Sequence, residues 1–183
     1  MSGALPDPGE RGVRRYSARP FPTYRYVPRV EPHPTRDARG HSYMASATPR
    51  RPGQWVPDEW RDLDDWLYGV DLFNRFYFWE AHEAWEGLWA AAPRQSPPAL
   101  LLQGLIQIAA ALLKTHLGVL AGARLLSVEG LAKLRRVAAQ QPVLLGLDVV
   151  DALTRIDAYF APTAHDVLPA IDARVPLLRL RAD

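Results

Sequence analysis

Residues 97–117 constrain the fold of this chain most strongly, because they predict one long helix that is apolar on almost every side. Pro97 and Pro98 are typical of a first helical turn, and Gly118 is typical of the residue that ends a helix. The large apolar residues recur all round the helical wheel: Leu100, Leu101, Leu102, Leu105, Ile106, Ile108, Leu112 and Leu113. Such a helix must be covered on most sides, so we expect it at the centre of the fold.

The rest of the chain from residue 57 onward also has helical periodicity, and no run alternates as a β-strand does. We expect an all-α fold, a compact bundle of about five helices that forms a helical domain over residues 57–183. The tail after residue 160 is expected either as a docked extended segment or as another short helix. The predicted helices before and after the central one cover residues 57–70, a short turn at 71–74, 79–89, 119–138 and 148–160.

The N-terminal stretch has a different composition from the helical part. Residues 1–57 contain ten arginines and four acidic residues, which gives this stretch a net charge of +6. They also contain ten of the 17 prolines. We expect residues 1–19 to be disordered and residues 20–56 to form an extended Pro/Arg-rich arm packed on the body, ordered but non-helical over 20–43. The remaining residues have a net charge of −4 (12 basic, 16 acidic), so the acidic body is the natural partner of this arm. We do not expect a nucleic-acid partner, because the arginines are scattered among prolines.

The overall composition excludes several classes of protein. A chain of 183 residues that is 48% hydrophobic can bury one core, which predicts a single globular domain. It contains no cysteine, so disulfides, thiolate catalysis and cysteine-ligated zinc are excluded. The N-terminus lacks the apolar run of a signal peptide, and no uninterrupted stretch of 18 apolar residues is present. We therefore expect a cytoplasmic protein without a membrane partner, for which a protein partner or a homo-oligomer is open.

The segment WEAHEAWEGLW, residues 79–89, is the most informative for function. On a helical wheel Phe78, Ala81, Trp85, Leu88 and Trp89 share one face, and Glu80 points to the far side. His82 lies at the edge of the apolar face, with Glu86 one turn later and Glu83 further round. A histidine and a carboxylate four residues apart can share a ligand, a proton or a metal ion, so His82 and Glu86 are candidate metal ligands.

A polar strip on the central helix has two interpretations. Gln103, Gln107 and Lys114 fall within a strip about 40° wide on an otherwise apolar helix. The strip is either the one solvent-exposed edge of the helix or an inward-facing strip that meets His82 and Glu86. In the second case His82, Glu83, Glu86, Gln103 and Gln107 form one polar cluster, because buried polar groups need partners.

The arm also carries residues that are able to contribute to a site. His33 and His41 bracket Asp37, and Gly40 permits a tight turn before His41. These residues are either ordinary surface groups of a proline-rich loop or groups that close a site at His82.

The run LFNRFYFWEAHEAWEGLW, followed by LLQGLIQIAAALLKTHLG, resembles the small bacterial helical family known as domain of unknown function 309. The resemblance covers roughly residues 70–136 and implies a helical fold without an established activity. In one position the chain departs from the pattern, since Phe76 stands where the family is expected to have glycine. The stretch HPTRDARGHS resembles an extension carried by some members. The matching residues are Phe73, Asn74, Trp79, Glu80, His82, Glu83, Glu86, Trp89, Gln103, Gly104 and Gln107.

Two hypotheses for function remain. In the first, the His/Glu/Gln cluster is a buried network that stabilises helix packing, and the protein is an interaction protein. In the second, the protein is a metal- or small-ligand-binding enzyme, hydrolytic for example, that uses His82 and Glu86 with a divalent ion such as zinc, manganese or iron. The segment is not the HEXXH pattern, because Glu86 replaces the second histidine, and the chain lacks the paired Glu-x-x-His of a di-iron bundle. The residues leave open whether the protein is an enzyme and which cofactor it uses.

Overall fold

Five α-helices make up most of the body in the computed structural model, which describes residues 3–9, 11–12, 14–44 and 55–181. Two short 3₁₀-helices and one hairpin of two-residue antiparallel strands complete the regular structure of the described residues. The prediction of an all-α fold is confirmed. The elements are a 3₁₀-helix at Pro57–Asp62, α1 (Asp64–Asn74), α2 (Phe78–Ala91), α3 (Pro97–His116), α4 (Leu120–Gln140), β1 (Val143–Leu144), β2 (Leu147–Asp148), α5 (Val149–Phe160) and a 3₁₀-helix at Ala161–His165.

Helix α3 occupies the centre of the bundle, as its all-round apolar pattern predicts, with α2 and α4 packed against it. Ser96 caps its N-terminus by accepting a hydrogen bond from the Ala99 N–H, and Gly118 follows its end with φ +72°. By length and composition α3 is able to cross a membrane, yet most of its residues are buried inside the bundle. It therefore fits the core helix of a folded domain.

Small residues set the distances between the helices. A Cβ atom on Gly130 of α4 would lie 2.9 Å from the Gly104 carbonyl oxygen of α3, so the two backbones are in direct contact. A Cβ atom on Gly69 of α1 would lie 2.1 Å from Nε1 of Trp85, which is fully buried. The indole of Trp85 thus lies directly against the α1 backbone, and this contact fixes the orientation of α2.

The first predicted helix is divided differently in the structure. Residues 57–62 are 3₁₀-helical, and Leu63 leaves helical geometry (φ −84°, ψ 78°) where its side chain enters the core. Helix α1 begins at Asp64 and continues through residues 71–74, so the prediction of a separate turn there is wrong.

The turn between α1 and α2 contains a buried phenylalanine in a left-handed conformation. Phe76 has φ +65°, a region that favours glycine, and the family resemblance predicts glycine here. Its ring is fully buried, 5.5 Å from the Phe78 ring, with the Arg11 guanidinium 4.8 Å from its centroid. Packing of the ring compensates for the unfavourable backbone geometry.

Residues 20–27 lie along the body without helical structure. The hydroxyls of Tyr68 and Tyr77 donate to the carbonyl oxygens of Pro20 and Pro22, and Phe21 stacks on Tyr77 with ring centroids 5.4 Å apart. The arm therefore binds the body partly through backbone carbonyls that take part in no helix or strand.

The arginines of the N-terminal stretch bind the body through rings and carboxylates. Arg19 forms an ion pair with Asp65 at 2.8 Å, which agrees with an acidic body as the partner of the arm. Three guanidiniums lie over aromatic rings of the body: Arg11 over Phe76, Arg19 over Tyr68 and Arg25 over Tyr77. Two more lie over rings of the N-terminal stretch itself, Arg14 over Tyr16 and Arg15 over Phe21.

Part of the stretch expected to be disordered contacts the body. Leu5 and Ser17 are buried, and the backbone N–H groups of Tyr16 and Ser17 donate to the Asp71 carboxylate. The expectation of a loose stretch is thus corrected for these residues, because α1 supplies a carboxylate that no feature of residues 1–19 reveals. Residues 45–54 of the expected arm lie outside the described residues, and the domain boundaries stay a prediction.

The C-terminal tail is an extended docked segment. Leu180 forms an isolated bridge with Leu147 of β2, and the Arg181 N–H donates to the Gly146 carbonyl. Asn74, the last residue of α1, exchanges two hydrogen bonds of 2.8 Å with the backbone of Leu178.

Candidate functional site

Helix α2 has two polar sides, separated by its apolar face. Phe78, Ala81, Trp85 and Leu88 are buried in the core, whereas Trp89, which we expected on the same face, is 37% exposed. Glu80 and His82 are two residues apart, which places them about 200° apart around the helix. They therefore belong to different sides.

On the outer side, His82 lies between two glutamates. Its Nδ1 is 3.4 Å from Glu83 Oε1, and its Nε2 is 3.3 Å from Glu86 Oε1. One ligand atom from each of the three residues can be chosen so that all lie within 4.8 Å of one another. We call His82, Glu83 and Glu86 the outer group. Their spacing along one helix produces this arrangement without any other element.

The outer group is half-exposed. The side chain of His82 is 26% exposed, and those of the two glutamates are 41% and 47% exposed. Nδ1 of His82 is nevertheless buried, and it makes no well-aligned hydrogen bond within the part of the chain that the structure describes. The contact with Glu83 is therefore a short approach of the two side chains, which becomes an ion pair when His82 is protonated.

Two opposing effects act on the pKa of His82. Burial of the ring lowers this pKa. The adjacent Glu83 carboxylate and the charge of Glu86 raise it by more than burial lowers it, so the net pKa lies above the ordinary value of 6.5. The outer group thus favours a bound proton and, once that proton is lost, offers one nitrogen and several oxygens to another cation.

Gln107 does not join the outer group. Its amide Nε2 donates to Glu129 Oε2 at 2.6 Å, and its Oε1 accepts from Lys133 Nζ at 2.8 Å, so both ends bind α4. Gln103 is partly buried and makes no hydrogen bond with a described residue, and Lys114 is exposed. The strip is the less buried edge of α3 beside α4. The expectation of one buried His/Glu/Gln cluster is corrected to a half-exposed group of one histidine and two glutamates.

His41 of the arm binds the opposite side of α2. Its Nε2 lies 3.1 Å from Glu80 Oε1, and both side chains are only 5% exposed. A Cβ atom on Gly40 would lie 2.2 Å from the Pro34 carbonyl oxygen, so glycine is required for the turn that places His41. Neither of the two interpretations of His41 holds: it does not close a site at His82, because it binds the buried carboxylate of Glu80 on the side of α2 that faces the arm, and for the same reason it is not an ordinary surface group.

His33 and Asp37 also have other partners. The ring of His33 packs on Tyr26 and Trp79, with centroids 5.2 and 5.6 Å apart. Asp37 binds Arg39 in an exposed turn, and the hydrogen bonds from Arg39 lower the pKa of Asp37 to about 2. Within the described residues neither side chain has a hydrogen bond or ion pair with the outer group.

Glu80 holds the arm, a role that the sequence analysis does not identify. It is 5% exposed, and its Oε1 accepts from the Tyr26 N–H at 2.8 Å in addition to the His41 contact. Its Oε2 is buried and has no hydrogen-bond partner among the described residues. The helical wheel places Glu80 opposite the apolar face of α2. A wheel of one helix cannot show that the arm covers this opposite side.

Two residues of α1 also use a buried polar side chain to bind an extended segment of the chain. Asp71, 3% exposed, holds the backbone of Tyr16 and Ser17, and Asn74, 2% exposed, holds the backbone of Leu178. We call Asp71, Asn74 and Glu80 the inner anchors, since each binds an extended terminal segment. Asn74 and Glu80 are residues of the family pattern, and this pattern was the signal that could have revealed them.

A comparison with protein families places these residues in a known context. Residues 66–126 match the family described as Domain of unknown function (DUF309). This match supports the family resemblance of the sequence over about a third of the chain. The matched segment contains the outer group and all three inner anchors, and it excludes the arm and the tail. A comparison with curated proteins gives no match.

Proposed function

We propose that this protein binds a divalent metal ion through the outer group. The observation that carries the proposal is the convergence of three ligand atoms, from His82, Glu83 and Glu86, within 4.8 Å on the solvent side of α2. Imidazole nitrogen together with carboxylate oxygen suits zinc and manganese. The exposure of the two glutamates leaves room for the ion to enter without a rearrangement of the helix.

The chemistry of such a site follows from its ligand count. Three protein ligands leave at least one position of the ion open for water, as in catalytic zinc sites. An ion there can lower the pKa of bound water and activate it for hydrolysis, which is the enzymatic form of the proposal. Binding must displace the proton that Glu83 and Glu86 favour on His82, so affinity rises with pH.

Titration calorimetry with zinc and manganese on the full chain tests the proposal. We expect one ion per chain, and we expect His82→Ala and Glu86→Gln each to weaken binding by about tenfold or more. His165→Ala is the matched control, because His165 is an exposed histidine outside the matched segment. Absence of binding by the wild type, or an equal loss in the control, would contradict the proposal.

A second candidate function, that of an interaction protein, is favoured by a different observation. On α4 the exposed residues Ala121, Leu125, Val128 and Ala132 follow one another at spacings of four, three and four, which is the seam of a helix pair. Leu125 and Val128 are 60% and 57% exposed. A second copy of the chain is the occupant we propose, since two α4 seams related by a two-fold axis close into a dimer.

Sedimentation or light scattering tests the dimer. The wild type should be dimeric at high concentration, and Leu125→Glu should be monomeric, since a charge in the seam is left without a partner. Gln140→Glu, an exposed change near the end of α4 and about 120° round the helix from Val128, is the control and should leave the dimer intact. A wild type that stays monomeric at all concentrations would exclude this assembly.

A further inference from the structure

A groove of about 750 Å³ lies between α5 and the segment that follows it, residues 162–177. Its walls are mainly apolar, with Leu168 and Leu177 among the lining residues. Pockets that hold small organic ligands are usually about 300–1,000 Å³ and have mostly apolar walls with a few polar groups. The groove therefore has the size and the lining of a small-molecule site.

Two arginines supply its charge. Among the described residues that line the groove, the charged side chains are Arg155 and Arg174. Arg155 uses Nε to bind Asp151, and Arg174 uses Nε and Nη2 to bind Asp172. A guanidinium has five N–H donors, so each arginine keeps donors on its other edge. Neither aspartate lines the groove.

Tyr159 forms one wall and joins the two sides of the groove. Its hydroxyl donates to the Ala170 carbonyl at 2.9 Å, which ties the outer segment to α5. Burial, followed by the nearby Asp172 charge, raises the pKa of Tyr159 well above its usual range, so the phenol stays neutral. An anion in the groove meets two cations and a neutral ring.

From this geometry we propose that the groove binds an organic carboxylate with an apolar tail, the class that includes medium-chain fatty acids. The tail lies against the leucines and Tyr159, and the carboxylate binds the free guanidinium edges of Arg155 and Arg174. Charge-assisted contacts with two arginines favour a carboxylate over an amine or an alcohol with the same tail. The groove shares no residue with the outer group, so this proposal does not depend on metal binding.

Calorimetry with decanoate, decanol and decylamine, each below its micelle-forming concentration, tests the proposal on the full chain. Decanoate should bind about tenfold more tightly than decylamine. Arg155→Gln should remove most of this preference and leave decanol binding unchanged. Arg135→Gln is the matched control, because Arg135 is also an exposed, ion-paired arginine but does not line the groove. Equal binding of the three probes would overturn the carboxylate assignment.

A second variant tests the location. Ala158 is exposed on the groove wall, so Ala158→Phe should fill the groove and abolish decanoate binding, whereas Ala139→Phe on α4 should not. Backbone amide shifts of the wild type on addition of decanoate provide a readout that needs no variant, and they should concentrate around Tyr159 and Leu177. Undiminished binding by Ala158→Phe, shifts elsewhere or no binding would each overturn the proposal.

Discussion

The inner anchors and the outer group use the same kinds of side chain within a few residues of one another, yet their surroundings differ. Glu80 is 5% exposed and binds the backbone of Tyr26 and the ring of His41. Glu86, six residues later on the same helix, is 47% exposed and binds only His82 among the described residues. The arm makes the difference, because it covers the first side of α2 and leaves the second in water.

This contrast predicts that the two sides of α2 respond differently to substitution. A buried carboxylate that accepts backbone hydrogen bonds is costly to lose, since its partners are left without an acceptor. A half-exposed carboxylate beside an imidazole contributes little to folding and remains free to exchange a proton or an ion. The comparison therefore predicts large stability effects at the inner anchors and ligand effects at the outer group.

The largest effect is expected at Asn74. Asn74→Ala removes both hydrogen bonds to the Leu178 backbone and leaves a buried N–H and a buried carbonyl unpaired. We expect the free energy of unfolding to fall by about 2–5 kcal/mol, measured by urea denaturation. Gln140→Ala, at an exposed position of α4, is the control and should change the stability little. A loss no greater than that of His82→Ala would remove the distinction between the two groups.

A medium effect is expected for the paired variants Glu80→Ala and Glu83→Ala. Loss of the Glu80 carboxylate frees the Tyr26 N–H and His41, and it should destabilise the arm by about 1–3 kcal/mol. Limited trypsin digestion reports this as faster cleavage after the exposed Arg29 and Arg36. Glu83→Ala changes the same residue type on the exposed side and should digest like the wild type. Equal digestion of both variants would show that the arm does not depend on Glu80.

The smallest effect is a pH dependence that belongs to His82. Because its pKa is raised in the folded state, His82 stabilises the fold fully below its unfolded pKa of 6.5, and this contribution disappears as the pH rises through the folded pKa. The wild type should therefore be more stable than His82→Gln at about pH 6, and the difference should shrink by about pH 9. Urea denaturation at both pH values measures it. A difference that grows with pH would contradict the ion pairs with Glu83 and Glu86.

The sequence predicted the features that depend on helical periodicity. The central position of α3 followed from its all-round apolar pattern, and the proximity of His82, Glu83 and Glu86 followed from their spacing. The partner of His41 was not predictable, because the arm is rich in proline and has no period that relates it to a side of α2. The partner of Gln107 also depends on which edge of α3 the helix α4 covers, and a wheel of α3 alone does not contain that information.

Phe76 is an instructive intermediate case. The family pattern marked its position as one suited to glycine, and the structure has the left-handed backbone that this preference implies. The identity of the side chain did not reveal that the ring fills a buried space beside Phe78 and Arg11. Backbone requirements were thus visible in the pattern, whereas the packing that compensates for the strain required coordinates.

The inner anchors also determine which piece of the chain can be studied in isolation. All three lie in residues 66–126, but the described hydrogen-bond and ion-pair partners of their side chains belong to residues 15–41 or to the tail. A fragment cut at the family boundaries would place three polar side chains and the surface beneath the arm in contact with solvent. The matched segment is therefore smaller than the set of residues that bury these anchors, and expression trials of a minimal domain should retain both flanking segments.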